Sequence, residues 1–308
     1  MTADMSDFRR SRWFTLVWLV PLVLVVFVAG VFLARLMRDT PALQSFLADY
    51  PGGSTLPEFA PFGFPAWLAW QHGLNAFCLL FIIRSGILGR TTRRPSAYWT
   101  RNNRGLIRTK NPPTRISIDL WLHITMDTLW VLNGVVFYVL IFSTGQWTRI
   151  IPTSWDVFPN AFSAALQYAS LVWPTENDWA NYNALQLLTY FGVVVVLAPL
   201  ALITGFRMSP SWSRGLKKLD KVYPIEVARF MHFPIMVIFV AFTVMHVTLV
   251  LATGALRNLN HMYAVRDDQS WVGFWVFAGS LALMTTAWIA VGPLVQRSIA
   301  SLTGSVSR

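Results

Sequence analysis

The chain has 308 residues, 55% of them hydrophobic and only 13% charged, against roughly 25% charged in a soluble domain. A water-soluble fold has nowhere to bury that much apolar surface, so an ordinary globular enzyme is excluded. The net charge of +11 would suggest nucleic acid on a soluble protein; here the lipid bilayer is the expected partner and nucleic acid is not.

A hydrocarbon core about 30 Å thick takes about 20 helical residues, because every backbone polar group must be paired inside lipid. Six stretches free of Asp, Glu, Lys and Arg are long enough: Trp13 to Ala34, Phe59 to Ile83, Thr128 to Thr148, Trp179 to Phe206, Phe230 to Leu256 and Gln269 to Gln296. The third is expected to begin earlier, near Ser117, with Asp119 at its mouth and Asp127 inside. The first follows Arg9, Arg10 and Arg12 as a signal peptide would, but its apolar run of 22 residues exceeds a signal core and no A-x-A site follows, so a retained anchor is expected. Val157 to Thr175 is also uncharged, yet Pro159, Pro174 and several polar residues interrupt it. It reads as a surface-lying helix.

Direction follows from the basic residues in the loops. With the N-terminus in the cytoplasm, 20 Lys and Arg face inward and five face outward. Both termini are therefore expected in the cytoplasm. Trp67, Trp70, Trp121, Trp147 and Trp271 fall near span ends, as an interfacial belt requires. The basic segment Arg90 to Arg115 reads as a loop. The single Cys78 excludes an intrachain disulfide and a CxxCH cofactor attachment, and mid-span it reads as inert.

Four of the five histidines lie inside spans, where ionisable groups are costly and usually functional. His72 sits near the outer end of the second span and His123 near the inner end of the third. His232 and His246 sit near the inner and outer ends of the fifth. Fourteen residues separate the last two, 40° short of four turns, so they share a helix face about 21 Å apart along the axis. Each meets one other histidine at its own depth, His246 with His72 and His232 with His123. Two opposed imidazoles at one level are what a six-coordinate haem needs, so the arithmetic yields two stacked haem sites. Helix-contact histidines, a zinc site and a proton relay are the competing readings. Zinc would want three or four ligands at one level, and a relay would want more buried acids than Asp127.

Trp70 to Gly86, WQHGLNAFCLLFIIRSG, resembles the first haem helix of the bacterial cytochrome b561 and nickel-iron hydrogenase b-type cytochrome family, through His72, Asn75, Ala76, Ser85 and Gly86. Arg229 to His246, RFMHFPIMVIFVAFTVMH, is similar to that family's last haem helix. Two features depart from the pattern. An extra first span would invert the core relative to the hydrogenase subunit. The stretches TGFRMSP (Thr204 to Pro210) and TGALRNLNHMY (Thr253 to Tyr263) look more like cytochrome subunits that accompany sulfite-oxidase-type or thiosulfate-reductase-type molybdenum enzymes. The resemblance implies a membrane subunit exchanging electrons between quinone and a partner redox enzyme.

Other residues carry a functional reading beside a structural one. Arg229, three residues before His232, is placed to pair with a haem propionate or simply to flank the span. Gly134, nearly in phase with His123, would admit a porphyrin or a neighbouring helix; Gly73 shares that ambiguity. Asp127, one turn after His123, would relay protons to a quinone, orient His123 or cap a helix contact. His261 falls in an outer loop, where a solvated side chain is the default.

The expected fold is an all-α integral membrane protein, a six-helix transmembrane bundle with a di-haem four-helix core. It forms one domain over residues 1–308, with the haem core at about 65–252, an added span at 13–34 and a last span at 271–295. The expected function is electron transfer across the plasma membrane through two b-type haems, between the quinone pool and an extracytoplasmic molybdoenzyme-like oxidoreductase. The cofactor-binding candidates are His72, His123, His232 and His246, also the metal ligands, with Arg229, Gly134 and Asn75; Asp127 is the proton-relay candidate. A stand-alone quinone reductase oxidising superoxide, and a haem-free proton-coupled transporter, are the rival functions.

Overall fold

The computed structural model describes residues 12–104, 108, 112–173, 179–212 and 217–308. Arg9, Arg10, Lys110, Pro174, Thr175 and Arg214 lie outside the described residues. Among those described, six helices are long and apolar enough to cross a membrane, and the protein is an all-α membrane bundle. The chain groups into two compact units, residues 1–58 with 148–191 and residues 59–147 with 192–308.

The first unit holds α1 (Arg12–Arg38), α2 (Pro41–Asp49), α5 (Val157–Ala169) and α6 (Ala184–Phe191). α1 presents bulky apolar side chains such as Val25, Phe27 and Phe32 outward, the surface a lipid-facing anchor needs. Its last turn is tied down by Arg35 Nε donating to Ser170 O (3.0 Å) and Arg38 Nη1 donating to Ser170 Oγ (2.9 Å). At 13 residues, α5 reaches about 20 Å, too short to cross. It buries Val157 and Ala161 against Ala184 and Leu187 of α6 and leaves Phe158 and Phe162 exposed.

The second unit contains α3 (Ala66–Thr91), α4 (Ile118–Ser143), α7 (Ala198–Met208), α8 (Lys217–Val222) and α9 (Ile225–Ala252). It also holds α10 (Ala255–Leu259), α11 (Val272–Ala290) and α12 (Pro293–Ala300). Ser117 caps α4 by accepting from Leu120 N, the start expected for that span. α3 runs past the expected limit at Ile83 because Arg84 need not leave the helix. Its Nη1 donates to Trp288 O (2.6 Å) and its Nη2 to Val291 O (2.8 Å). The charge thereby satisfies carbonyls that the end of α11 leaves open.

Inside lipid, burying one apolar side chain against another brings no hydrophobic gain, so helices associate through close packing and hydrogen bonds worth about 0.6 kcal/mol each on average. α3 and α4 pack along their length and are joined by Trp130 Nε1 donating to Asn75 Oδ1 (2.5 Å) and Asn133 Nδ2 to Gln71 O (3.4 Å). Ahead of α7 the fourth span carries a π-helical stretch, Gly192–Leu197. The hydroxyl of Tyr138 on α4 donates to Val194 O there (2.7 Å), a carbonyl made available where the backbone pattern widens. α7 packs on α9 around Leu197, Ile235 and Phe239.

The basic segment is more than a loop. β1 (Tyr98–Arg101) lies between β2 (Ile116–Ser117) and β3 (Gly304–Ser307), antiparallel to both. Trp99 pairs with Ile116 and Val306. A side chain at Gly304 would collide with Thr100 O and the Trp99 ring, so only glycine allows this approach. Trp121, expected at the lipid interface, is instead buried with Phe81, Ile118 and Ala300 under this sheet.

Candidate functional site

Two helices bring His72 to His246. α3 starts after Pro65 and carries His72 in its second turn, while α9 runs the opposite way and carries His246 near its C-terminal end. Their ring centres are 6.2 Å apart at an interplanar angle of 57°. Phe242, one turn before His246, stacks on it at 5.5 Å and 15°. Tyr263 stands edge-on to His72 at 5.9 Å and 89°. The Nδ1 atom of His72 is out of solvent and has no hydrogen-bond partner.

The other pair sits near the opposite ends of these helices. His123 of α4 and His232 of α9 have ring centres 6.4 Å apart at 76°. Both are held from behind by a hydroxyl residue followed by glycine. Ser85 Oγ lies 3.1 Å from His123 Nδ1, and Thr204 Oγ1 lies 2.8 Å from His232 Nδ1. A methyl at Gly86 would stand 3.2 Å from His123 Cε1, and one at Gly205 3.4 Å from His232 Cε1.

These contacts define the tautomers. Ser85 donates its single hydroxyl proton to Phe81 O (2.6 Å), and Thr204 donates to Leu200 O (2.8 Å). Each oxygen is then free to accept from Nδ1–H. For His123 the direction follows independently, because Nδ1 also lies 3.1 Å from Ile82 O, an atom that only accepts. Both Nδ1 atoms therefore carry the proton, and both Nε2 lone pairs are available to a metal.

Two imidazoles sharing one metal at about 2 Å per bond, with about 1.2 Å from each nitrogen to its ring centre, would have their centres about 6.4 Å apart. The observed 6.2 and 6.4 Å match that span. Among the described residues no three His, Cys, Asp or Glu side chains gather at one point. The histidines stand instead as two opposed pairs.

Asp127 Oδ2 lies 3.6 Å from His123 Nε2, beyond a hydrogen bond. The orienting contact to Nδ1 comes from Ser85 and Ile82 instead. Arg229 is exposed and has no hydrogen-bond or ion-pair partner among the described residues. The Arg90 guanidinium lies 4.1 Å from the ring centre of Phe233, next to His232. Gly134 and Gly73 border open space. Asn75 accepts from Trp130 and so joins two helices.

His261 is not the solvated loop side chain expected. A π-helical turn, Asn260–Ala264, folds it inward to 3% exposure, with Nε2 2.9 Å from Asp267 Oδ1. Arg257 grips the same carboxylate oxygen at 2.9 Å. Asn260 is fully buried and closes the loop, accepting from Gly273 N (2.6 Å) while its Nδ2 lies 2.7 Å from Asp268 Oδ1 and Ser270 O. This anchoring places Tyr263 against His72. Burial raises the Tyr263 phenol above its ordinary pKa, with a hydrogen bond to Ser280 opposing.

Six apolar helices with histidines opposed in twos make this a multi-pass membrane protein. The family model for prokaryotic cytochrome b561 matches residues 63–264, and the chain belongs to that family. Its members are b-type cytochromes of the plasma membrane that transfer electrons and usually bind haem b. No curated protein and no solved structure matches the chain.

Sequence reasoning paired the four histidines without locating what stands behind them. Ser85, Gly86, Thr204 and Gly205 fall within the stretches that carry the resemblance but have no role attached there. A small hydroxyl residue followed by glycine near the end of two different spans was the available signal.

Proposed function

We propose that the chain holds two b-type haems, one between His72 and His246 near the outer face and one between His123 and His232 near the cytoplasmic face, and that it passes electrons across the membrane between them. The observation that carries this reading is the pair of ring separations, 6.2 and 6.4 Å, each matching two axial imidazoles on one iron. When bound, haem supplies one-electron iron chemistry, and the protein tunes it through axial ligands, hydrogen bonds and burial.

The remaining residues serve that arrangement. Ser85 and Thr204 keep the Nδ1 protons of His123 and His232 in place, which leaves the Nε2 lone pairs for the iron. Arg229, which has no other partner among the described residues, and Arg90 offer guanidinium groups for the carboxylates of the inner macrocycle. Gly134 leaves room beside α4. Asp127 is placed to hold a proton close to the His123–His232 pair, where a quinone carrying both electrons and protons would exchange them. Asn75 acts by fixing α3 against α4.

The surplus of Lys and Arg in alternate loops supports cytoplasmic termini. The chain then links the quinone pool to a partner oxidoreductase of the molybdoenzyme kind on the outer face, as the stretches Thr204 to Pro210 and Thr253 to Tyr263 suggest by resemblance.

The test is a reduced-minus-oxidised spectrum of the purified protein with haem quantified against protein. Two haems per chain are expected, and His72→Ala, His123→Ala, His232→Ala or His246→Ala should each remove about half. A folded protein without a b-type α-band overturns the proposal.

A further inference from the structure

The two histidine pairs share one ligand type, yet their surroundings differ in a way that bears on where an electron rests. Both Nδ1 atoms of the His123–His232 pair face oxygen acceptors: Ser85 Oγ and Ile82 O for His123 (3.1 Å each), Thr204 Oγ1 for His232 (2.8 Å). In the other pair, His72 Nδ1 is buried and meets no acceptor among the described residues, and Tyr263 and Phe242 pack against the two rings.

We infer that Ser85 and Thr204 are positioning residues that make the haem between His123 and His232 the lower-potential one, so that an electron shared by the two irons resides at the His72–His246 site. This rests on the two-haem reading above. An imidazole that donates its Nδ1 proton to an oxygen pushes more electron density through Nε2 and favours ferric iron. An imidazole with an unpartnered Nδ1 in an apolar enclosure does neither, and the low dielectric there favours the ferrous centre, whose core carries one positive charge fewer. Both differences act in the same direction. Arg90 and Arg229 act against them by favouring the reduced inner haem, but both are exposed, where solvent and salt screen a charge strongly. The hydrogen bonds act directly on the ligand atoms.

The resulting equilibrium is simple. One electron converts one ferric iron to ferrous, and its transfer between the two sites consumes no further reactant. Thr204→Val keeps the shape of the side chain and removes the acceptor. Ser85→Ala removes one of the two acceptors at His123 and leaves Ile82 O.

A spectroscopic redox titration of the full-length protein reads both midpoints, which His72→Ala and His123→Ala assign by leaving a single haem each. The lower midpoint should belong to the His123–His232 site. Thr204→Val should raise it by about tenfold in the one-electron equilibrium, about 59 mV, and Ser85→Ala by less, because Ile82 O still accepts from His123. Thr204→Ser should restore it, and the midpoint of the other haem should stay in place as an internal control of folding. An inner midpoint equal to or above the outer one overturns the inference with the two-haem reading intact. So does an inner midpoint that neither substitution moves. Absence of haem overturns both.

Discussion

Gly86→Ala is the most local test of how the inner histidine is held. A methyl there would lie 3.2 Å from His123 Cε1, whereas carbon atoms pack best at about 3.5–4.0 Å. The ring must retreat from α3 by at least about 0.3 Å to reach that range. His123 Nδ1 already lies 3.1 Å from both Ser85 Oγ and Ile82 O, which belong to the same helix as Gly86. The retreat lengthens both contacts to about 3.4 Å, past the usual limit for such bonds. Weakening two hydrogen bonds of about 1 kcal/mol each should lower retention of the haem proposed between His123 and His232 about tenfold, at 1.4 kcal/mol per decade.

Helix propensity runs the other way, since alanine is better than glycine by about 1 kcal/mol inside a helix. The bundle should therefore remain folded while the inner site loosens. Gly205→Ala places its methyl at 3.4 Å from His232 Cε1 and should do less. The assay is haem transfer to an apo-globin acceptor, followed at the inner haem's spectral signature. The reasoning is refuted if Gly86→Ala retains that haem as firmly as the parent, or more firmly than Gly205→Ala.

Arg84→Met should uncover the carbonyls of Trp288 and Val291 and lower stability by about 2 kcal/mol, the value of a charged hydrogen bond; detergent denaturation curves would show it. Gly304→Ala should detach β3 from β1, because the added carbon meets Thr100 O and the Trp99 ring, and faster hydrogen exchange at Trp99 to Arg101 would report the loss. The loop after α9 should be sensitive to acid. Hydrogen bonds from the Ser270 backbone and hydroxyl hold the Asp268 carboxyl below the ordinary carboxylate pKa, so their stabilisation is complete above about pH 4 and disappears as pH falls through the folded value. Exchange in Arg257 to Ser270 should quicken there, and Asn260→Ala should produce the same loosening at neutral pH.

Much of the site was legible before any coordinates. Charge-free length marked all six spans, and the fourteen-residue interval between His232 and His246 put both on one face. Their partners followed from depth alone, and the structure places His72 beside His246 and His123 beside His232. α3 passes the limit expected at Ile83 because a charge does not end a helix when, like Arg84, it reaches the carbonyls of another helix. The sheet escaped notice because β1 has four residues and pairs with a strand about 200 positions away.

The sequence by itself determined how many helices are long and apolar enough to cross and which histidines stand beside one another. Those properties depend on the 1.5 Å rise, the 100° turn and the cost of unpaired polar groups in lipid, all of which act along a single helix. The tertiary structure decided which oxygen stands behind each imidazole, that His261 turns inward to Asp267, and that Tyr263 rests against His72. These contacts join residues far apart in the chain, and they depend on how neighbouring helices are rotated to within a fraction of a turn. No periodicity records that rotation.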